Sequence, residues 1–219
     1  MSIDHLRAHH GNINQFHDAM IETSKGRFNS IWWGIFDVYA TPSDGKVETI
    51  VDLGTGPGMQ LPMLRERHPE ARIVGMELRD KMITTAEVQA AKANCEVIQT
   101  DLAETLPLDD CSVDLATCVM VLHEMVYPPA LIKEAARILR PGGRLLIYDW
   151  VSRNLRDYME PGQKLDQDRL QHFREHCLYS QDDLAYMAEM EGLKVLEVIG
   201  RRGGRFAVLA VEKPIENES

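Results

Sequence analysis

Between residues 47 and 151 the chain alternates short β-branched runs with amphipathic stretches, and this alternation constrains the fold more than any other feature. "VETIVDLG" (47–54), "ARIVGMEL" (71–78), "CEVIQTD" (95–101) and "RLLIYDWV" (144–151) are brief and apolar, as buried strands are. "SVDLATCVMVLHEM" (112–125) holds another. Between them lie helical patterns: "MQLPMLRERHP", ending near Pro69, "RDKMITTAEVQAAKA", and "PPALIKEAARILRPGG", opened by prolines and closed by Pro141, Gly142 and Gly143. Strands separated by helices of this length require right-handed crossovers and a mostly parallel sheet.

The last third departs from this pattern. "SQDDLAYMAEMEGL" predicts a helix capped by Ser180, with acids in its first turn. "KVLEVIG" and "RFAVLAVEK" follow, joined too closely for a parallel crossover, so they form an antiparallel hairpin. The expected sheet is mixed and seven-stranded. Residues 1–45 are read as an N-terminal helical cover, 46–213 as the main domain with 152–179 as a lid over the acceptor side, and 214–219 as a flexible tail.

Composition removes several function classes. A net charge of −10 argues against a nucleic-acid partner, since phosphate binding needs a basic field. The basic run "GRRGGR" (200–205) is read as a solvated hairpin tip, and Asp109, Asp110 and Asp114 as solvated loop acids. No apolar window is long enough for a membrane span, and "MSIDHLRAHHGNINQ" has no apolar secretory core. Cys95, Cys111, Cys118 and Cys177 show no CxxC spacing and are read as reduced thiols of a cytoplasmic protein.

In "ETIVDLGTGPGMQLPML" three glycines occupy alternate positions after the first strand, where open α/β sheets bind ligands. The spacing is G-x-G-x-G with Met59 following, not the G-x-G-x-x-G of dinucleotide sites, and the Gly-Lys-Ser/Thr of a phosphate loop is absent. The turn carries Asp52 and no base, which favours a ligand with positive groups. Glu77, 19 residues beyond Gly58, falls at the tip of the second strand and can accept from both hydroxyls of a ribose. Asp101, at the third tip, can accept from an adenine amine or act as the helix cap of "LAETL", and Leu102 can cover the ring.

This set resembles the class I S-adenosylmethionine-dependent methyltransferases, in particular the small-molecule branch that includes the ubiquinone and menaquinone biosynthesis enzymes. The resemblance rests on "VDLGTGPG", "GMEL", "TDLAETLPLDDCSVDLATCVMVLHEM" and "ARILRPGGRLLIYDW", spanning 47–151. It implies a Rossmann-like sheet with helices on both faces, S-adenosylmethionine as cofactor and S-adenosylhomocysteine as product. It implies that Asp52 and the backbone from Gly54 through Thr55 and Gly56 to Gly58 hold the methionine end. Glu77 and the adjoining Leu78 then lie at the ribose, Asp101 and Leu102 near adenine, and Val119 against the cofactor. The partner implied is a small-molecule acceptor, for a monomer or homodimer. A cofactor-binding sensor without catalysis and a nicotinamide-dependent oxidoreductase are the rival readings.

Methyl transfer from a sulfonium is an in-line displacement, so the protein mainly aligns the nucleophile and excludes water. His123, in "VLHEM", is the candidate base or positioner, with segment capping as its structural alternative. Asp149, in "IYDW", can bind a cationic acceptor or hydrogen-bond loop amides. The Asn-Pro-Pro-Tyr motif of amino-methylating relatives is absent. "HFREH" (172–176) fits His-x-x-Glu-His, but no downstream glutamate in a matching helix completes a peptidase site, and no metal is expected. His172, His176 and Tyr179 are assigned to the acceptor lid. The aromatic stretch with Phe28, Trp32, Trp33, Phe36 and Tyr39 predicts a helix that packs on the domain or covers the ligands, with Arg27 and Trp33 as acceptor contacts.

Overall fold

The computed structural model describes residues 12–159 and 162–215, apart from the side chains of Asp168 and His172. The strands are β1 (Thr49–Leu53), β2 (Arg72–Glu77), β3 (Glu96–Gln99), β4 (Val113–Val119), β5 (Leu139–Trp150), β6 (Lys194–Arg201) and β7 (Phe206–Glu212). They form one seven-stranded sheet in the order β3-β2-β1-β4-β5-β7-β6. The first five run parallel, and β7 lies antiparallel between β5 and β6. The chain therefore changes direction across the sheet between β1 and β4, and ligands bind beyond the carboxyl ends of strands at such a switch.

Helices cover both faces: α1 (Ile13–Arg27), α2 (Ser30–Tyr39), α3 (Leu61–Arg67), α4 (Asp80–Ala93), α5 (Pro128–Ile138), α6 (Gln167–His176) and α7 (Gln181–Met190). Period-two alternation sorts the central strands into two apolar layers. Leu145, Ile147, Leu209 and Val211 meet Leu131 and Ile132 of α5 and Leu184 of α7. Leu146, Tyr148 and Val208 meet Trp32 and Phe36 of α2 and Leu61 and Leu64 of α3. Burial on both faces explains why these strands read as continuous apolar runs.

Several boundaries differ from the sequence reading. Helix α5 ends at Ile138, because Leu139 is already extended. Pro141, Gly142 and Gly143 belong to β5, where the Gly142 amide donates to the Lys213 carbonyl and the Lys213 amide to that of Gly143. A Cβ at Gly143 would lie 2.9 Å from the Arg140 carbonyl oxygen, so this glycine serves close strand approach rather than helix termination. Helix α7 has the expected cap, a reciprocal box between Ser180 and Asp183.

Two charged groups read as solvated are instead structural. Asp114 is buried and accepts from the amides of Glu48 and Thr49 at 2.9 and 2.8 Å, with Arg140 against its other oxygen. The tip of the β6–β7 hairpin is docked, not free: Arg202 donates to the Gly26 carbonyl at 2.9 Å, and buried Arg201 sits over the Tyr148 ring. These contacts tie the hairpin to the end of α1. In α2, Trp32 is wholly buried and stacks on Tyr148 with ring centroids 5.7 Å apart. The aromatic helix thus packs the sheet face, while α1 overlies the carboxyl edge.

Candidate functional site

The three glycines after β1 serve two purposes. All have positive φ, at +74°, +56° and +74° for Gly54, Gly56 and Gly58. A Cβ at Gly54 would lie 2.4 Å from Val121 Cγ2, and one at Gly58 would lie 2.8 Å from the Ala86 Cα in α4. Those two positions need glycine for packing as well as for the turn. A Cβ at Gly56 would meet nothing within 4 Å, and Gly56 lines a cleft. Its Cα face is the part of the turn open to the cleft, while its amide goes to Glu77.

The carboxylates that the sequence sets at the strand tips fare differently. Asp52 is 3% exposed and accepts from the Thr117 hydroxyl at 2.8 Å. Burial pushes its pKa up to about 6, against the pull of the Thr55 and Thr117 hydroxyls. Glu77 bridges the two tips: one oxygen accepts from the Gly56 amide at 3.1 Å, the other from the amides of Leu78 and Arg79 at 3.0 and 2.9 Å. It therefore shapes the turn as well as facing the cleft. Asp101 is not among the residues lining the cleft; it accepts from the Ala103 amide at 2.9 Å, and the segment after it is a turn rather than the helix it was read as capping. Its neighbour Leu102 does line it, as do Leu78 and Val119.

The cleft also contains residues the sequence reading missed. Phe16 and Met20 descend from α1, beside Arg27, which the sequence reading had placed at the acceptor, and Arg79 and Met82 come from the start of α4. Arg27 is buried enough to lower its pKa to about 10. Gln60, at the mouth of α3, is 1% exposed, and neither atom of its amide has a hydrogen-bond partner among the described residues. Burying such an amide unpaired is unfavourable unless a ligand completes it. The only sequence cue was its place two residues past Gly58, on a turn already suspected of binding.

A second cavity, of about 590 Å³, adjoins the first. Phe16, Met20, Arg27, Met120 and Glu124 line both. The second is closed further by His123, Tyr148, Trp150, His176, Arg202 and Phe206. His123 and Glu124 sit in a 3-10 turn (Leu122–Glu124) directly after β4, and His176 ends α6. His123 Nε2 lies 3.2 Å from Glu124 Oε1, and His176 Nδ1 lies 3.9 Å from the same oxygen. Burial pulls the His123 pKa down, but the carboxylates of Asp149 and Glu124 overcome it and hold it up at about 10.

Asp149 lines neither cavity. It is 1% exposed and accepts from the amides of Val121, Leu122 and Trp150 and from His123 Nδ1. With its lone pairs engaged, it positions His123 rather than binding an acceptor. Trp33 packs on Phe36 and lies under the Arg67 guanidinium, away from both cavities. Tyr179 packs against the core, and its carbonyl accepts from Ser152. The His172 side chain lies outside the described residues.

Residues 51–147 match the family model described as a methyltransferase domain. Over this stretch, just under half of the chain, the sequence is similar to methyltransferase domains. Trans-aconitate 2-methyltransferase of Azoarcus is 37% identical over 117 residues, 53% of this chain and 43% of that protein. Ubiquinone/menaquinone biosynthesis C-methyltransferase of Dinoroseobacter shibae is 27% identical over 143 residues, 64% of this chain and 56% of that protein. The chain thus spans less than two thirds of either relative's length. A SAM dependent methyltransferase structure from Aquifex aeolicus shares the fold, with a TM-score of 0.69 at 19% identity over 91% of this chain and 97% of that one. The residues present fit S-adenosylmethionine as a ligand. The open Cα face of Gly56, the paired acids Asp52 and Glu77 and the unsatisfied Gln60 amide suit a ligand with a cationic, hydrogen-bonding tail. Among the described residues no helix is long and apolar enough to cross a membrane.

Proposed function

We propose that this protein transfers a methyl group from S-adenosylmethionine to a small-molecule acceptor held in the second cavity. The observation that carries this reading is the shared wall of the two cavities, where Met120 and Glu124 face both. A transfer enzyme must bring donor and acceptor together in one water-poor space. Bound S-adenosylmethionine supplies a methyl group already activated by a positive sulfur.

The chain's own residues do the rest. Asp52 and the Gln60 amide hold the amino-acid tail, Glu77 accepts from the ribose, and Leu102 and Leu78 bound the base. The N-terminal segment acts as a cover through Phe16, Met20 and Arg27, and the segment 152–179 acts as a lid through His176. Arg27 and Arg202 line the acceptor cavity together with Glu22 and Glu124, so its wall offers charges of both signs to a polar acceptor. The negative net charge and the enclosed cavity favour a metabolite over a nucleic acid, and the reduced cysteines suit the cytoplasm.

The test is incubation of the purified protein with methyl-tritiated S-adenosylmethionine and a metabolite extract. Label moving into a small, protease-resistant product is expected. Cofactor binding by calorimetry with no labelled product would instead favour a sensor, and binding of NAD in its place would refute the reading.

A further inference from the structure

We propose that His123, Glu124 and His176 form a site for a divalent transition-metal ion such as Zn²⁺ in the wall of the acceptor cavity. Each offers one ligand atom, and these atoms all lie within 4.8 Å of one another. The His123–Glu124 and His176–Glu124 separations are 3.2 and 3.9 Å. A tetrahedral zinc ion with bonds of about 2.0–2.1 Å sets its ligands roughly 3.4 Å apart. Only a small closure of His176 toward the turn is required.

The chemistry of the donor set points the same way. Two imidazoles and one carboxylate suit zinc, iron or cobalt rather than magnesium or calcium, which take oxygen ligands. Three protein ligands leave a coordination position open, as in reactive rather than purely structural sites. All three residues line the cavity, so that position faces it.

An independent observation is the support behind His123. Metal-binding histidines usually give their second nitrogen to a carboxylate, which fixes the ring and its tautomer. Here His123 Nδ1 lies 2.5 Å from Asp149 Oδ1, leaving Nε2 directed to Glu124. Asp149 is itself fixed by three backbone amides. The ion would also join α6 to the turn after β4, two elements far apart in sequence. Resting on the cavity being the acceptor's, the open position would take an oxygen atom of the acceptor.

The experiment titrates chelator-stripped protein with Co²⁺ and follows its visible ligand-field absorption, with competition by Zn²⁺. One equivalent with a low-coordinate band is expected. His176→Ala and Glu124→Gln should each weaken Co²⁺ by more than the roughly 10–100-fold that an outer-shell change costs. His68→Ala, at the far end of α3, should bind as wild type. X-ray absorption on zinc-loaded wild type should show nitrogen and oxygen ligands, a readout that needs no variant to fold. No band, unchanged affinity in both variants, or sulfur ligation would overturn the proposal and leave the cluster an internal ion pair. Calorimetry with S-adenosylmethionine on the same samples separates the two readings: cofactor binding without Co²⁺ binding removes the metal alone, and the reverse removes the transfer reading.

Discussion

Asp149 and His123 form a buried carboxylate–imidazole pair, 2.5 Å between Oδ1 and Nδ1, from the end of one central strand to the turn after its neighbour. The remaining Asp149 contacts are to backbone amides, so Asp149 lies behind His123, which lines the second cavity. Asp149→Asn keeps the volume and loses the charge. We expect it to weaken Co²⁺ binding by about 10–100-fold and to slow turnover, with S-adenosylmethionine affinity nearly unchanged. Metal titration and calorimetry check this. Metal affinity equal to wild type would reduce the pair to a structural contact.

Glu77 accepts from three amides across two strand tips and lines the cleft, so it shapes the turn and faces the proposed cofactor site. Glu77→Ala is expected to weaken S-adenosylmethionine by tenfold or more, about 1.4 kcal/mol, and also to lower the melting temperature. Calorimetry and thermal unfolding read the two effects separately. A lower melting temperature with unchanged affinity would confine Glu77 to shaping the turn.

Gln60 gives a prediction with opposite signs. An unpaired buried amide costs about 1–3 kcal/mol. Gln60→Leu should therefore stabilise the cofactor-free protein while weakening S-adenosylmethionine. Thermal unfolding with and without cofactor tests both at once. Loss of stability without cofactor would show that the amide is already satisfied.

The fold was legible because the β-branched runs and the glycine-ended strand define βαβ units locally. The short β6–β7 connection likewise permits only a hairpin. Asp52, Glu77 and Leu102 were legible because a strand tip is a position in sequence as well as in space. Gln60, Glu124, Phe16 and Met20 were not, since nothing local marks which side chain of a turn or helix faces a cleft built from distant segments. Asp149 shows the converse: it stands where a ligand contact is expected, but three backbone amides and His123 surround its carboxylate. Burial of Arg201 and Asp114 depends on docking partners 172 and 66 residues away, beyond the reach of local pattern.

Asp52 predicts a pH dependence. Burial raises its folded pKa from 3.8 to about 6. For a raised acid the folded state binds the extra proton, so its contribution to stability is present below 3.8 and lost as pH rises through about 6. Asp52→Asn should flatten that part of the stability profile. A cationic ligand favours the ionised form, so S-adenosylmethionine binding near pH 6 should release protons and tighten as pH rises. Calorimetry in two buffers of different ionisation heat measures this, and no proton release would place the cofactor's charge away from Asp52.

Gly58 and Gly56 separate packing from binding within one turn. Alanine at Gly58 meets the α4 backbone at 2.8 Å as well as an unfavourable positive φ. Overpacking costs about 1–3 kcal/mol and left-handed backbone about 1–2, so Gly58→Ala should destabilise by about 2–5 kcal/mol. Alanine at Gly56 meets no atom within 4 Å and bears only the backbone cost, yet its methyl group stands on the face open to the cleft. Gly56→Ala should melt within a few degrees of wild type but bind S-adenosylmethionine at least tenfold more weakly, about 1.4 kcal/mol. Equal binding by Gly56→Ala would mean that all three glycines serve the turn and its packing, and that the ligand lies elsewhere in the cleft.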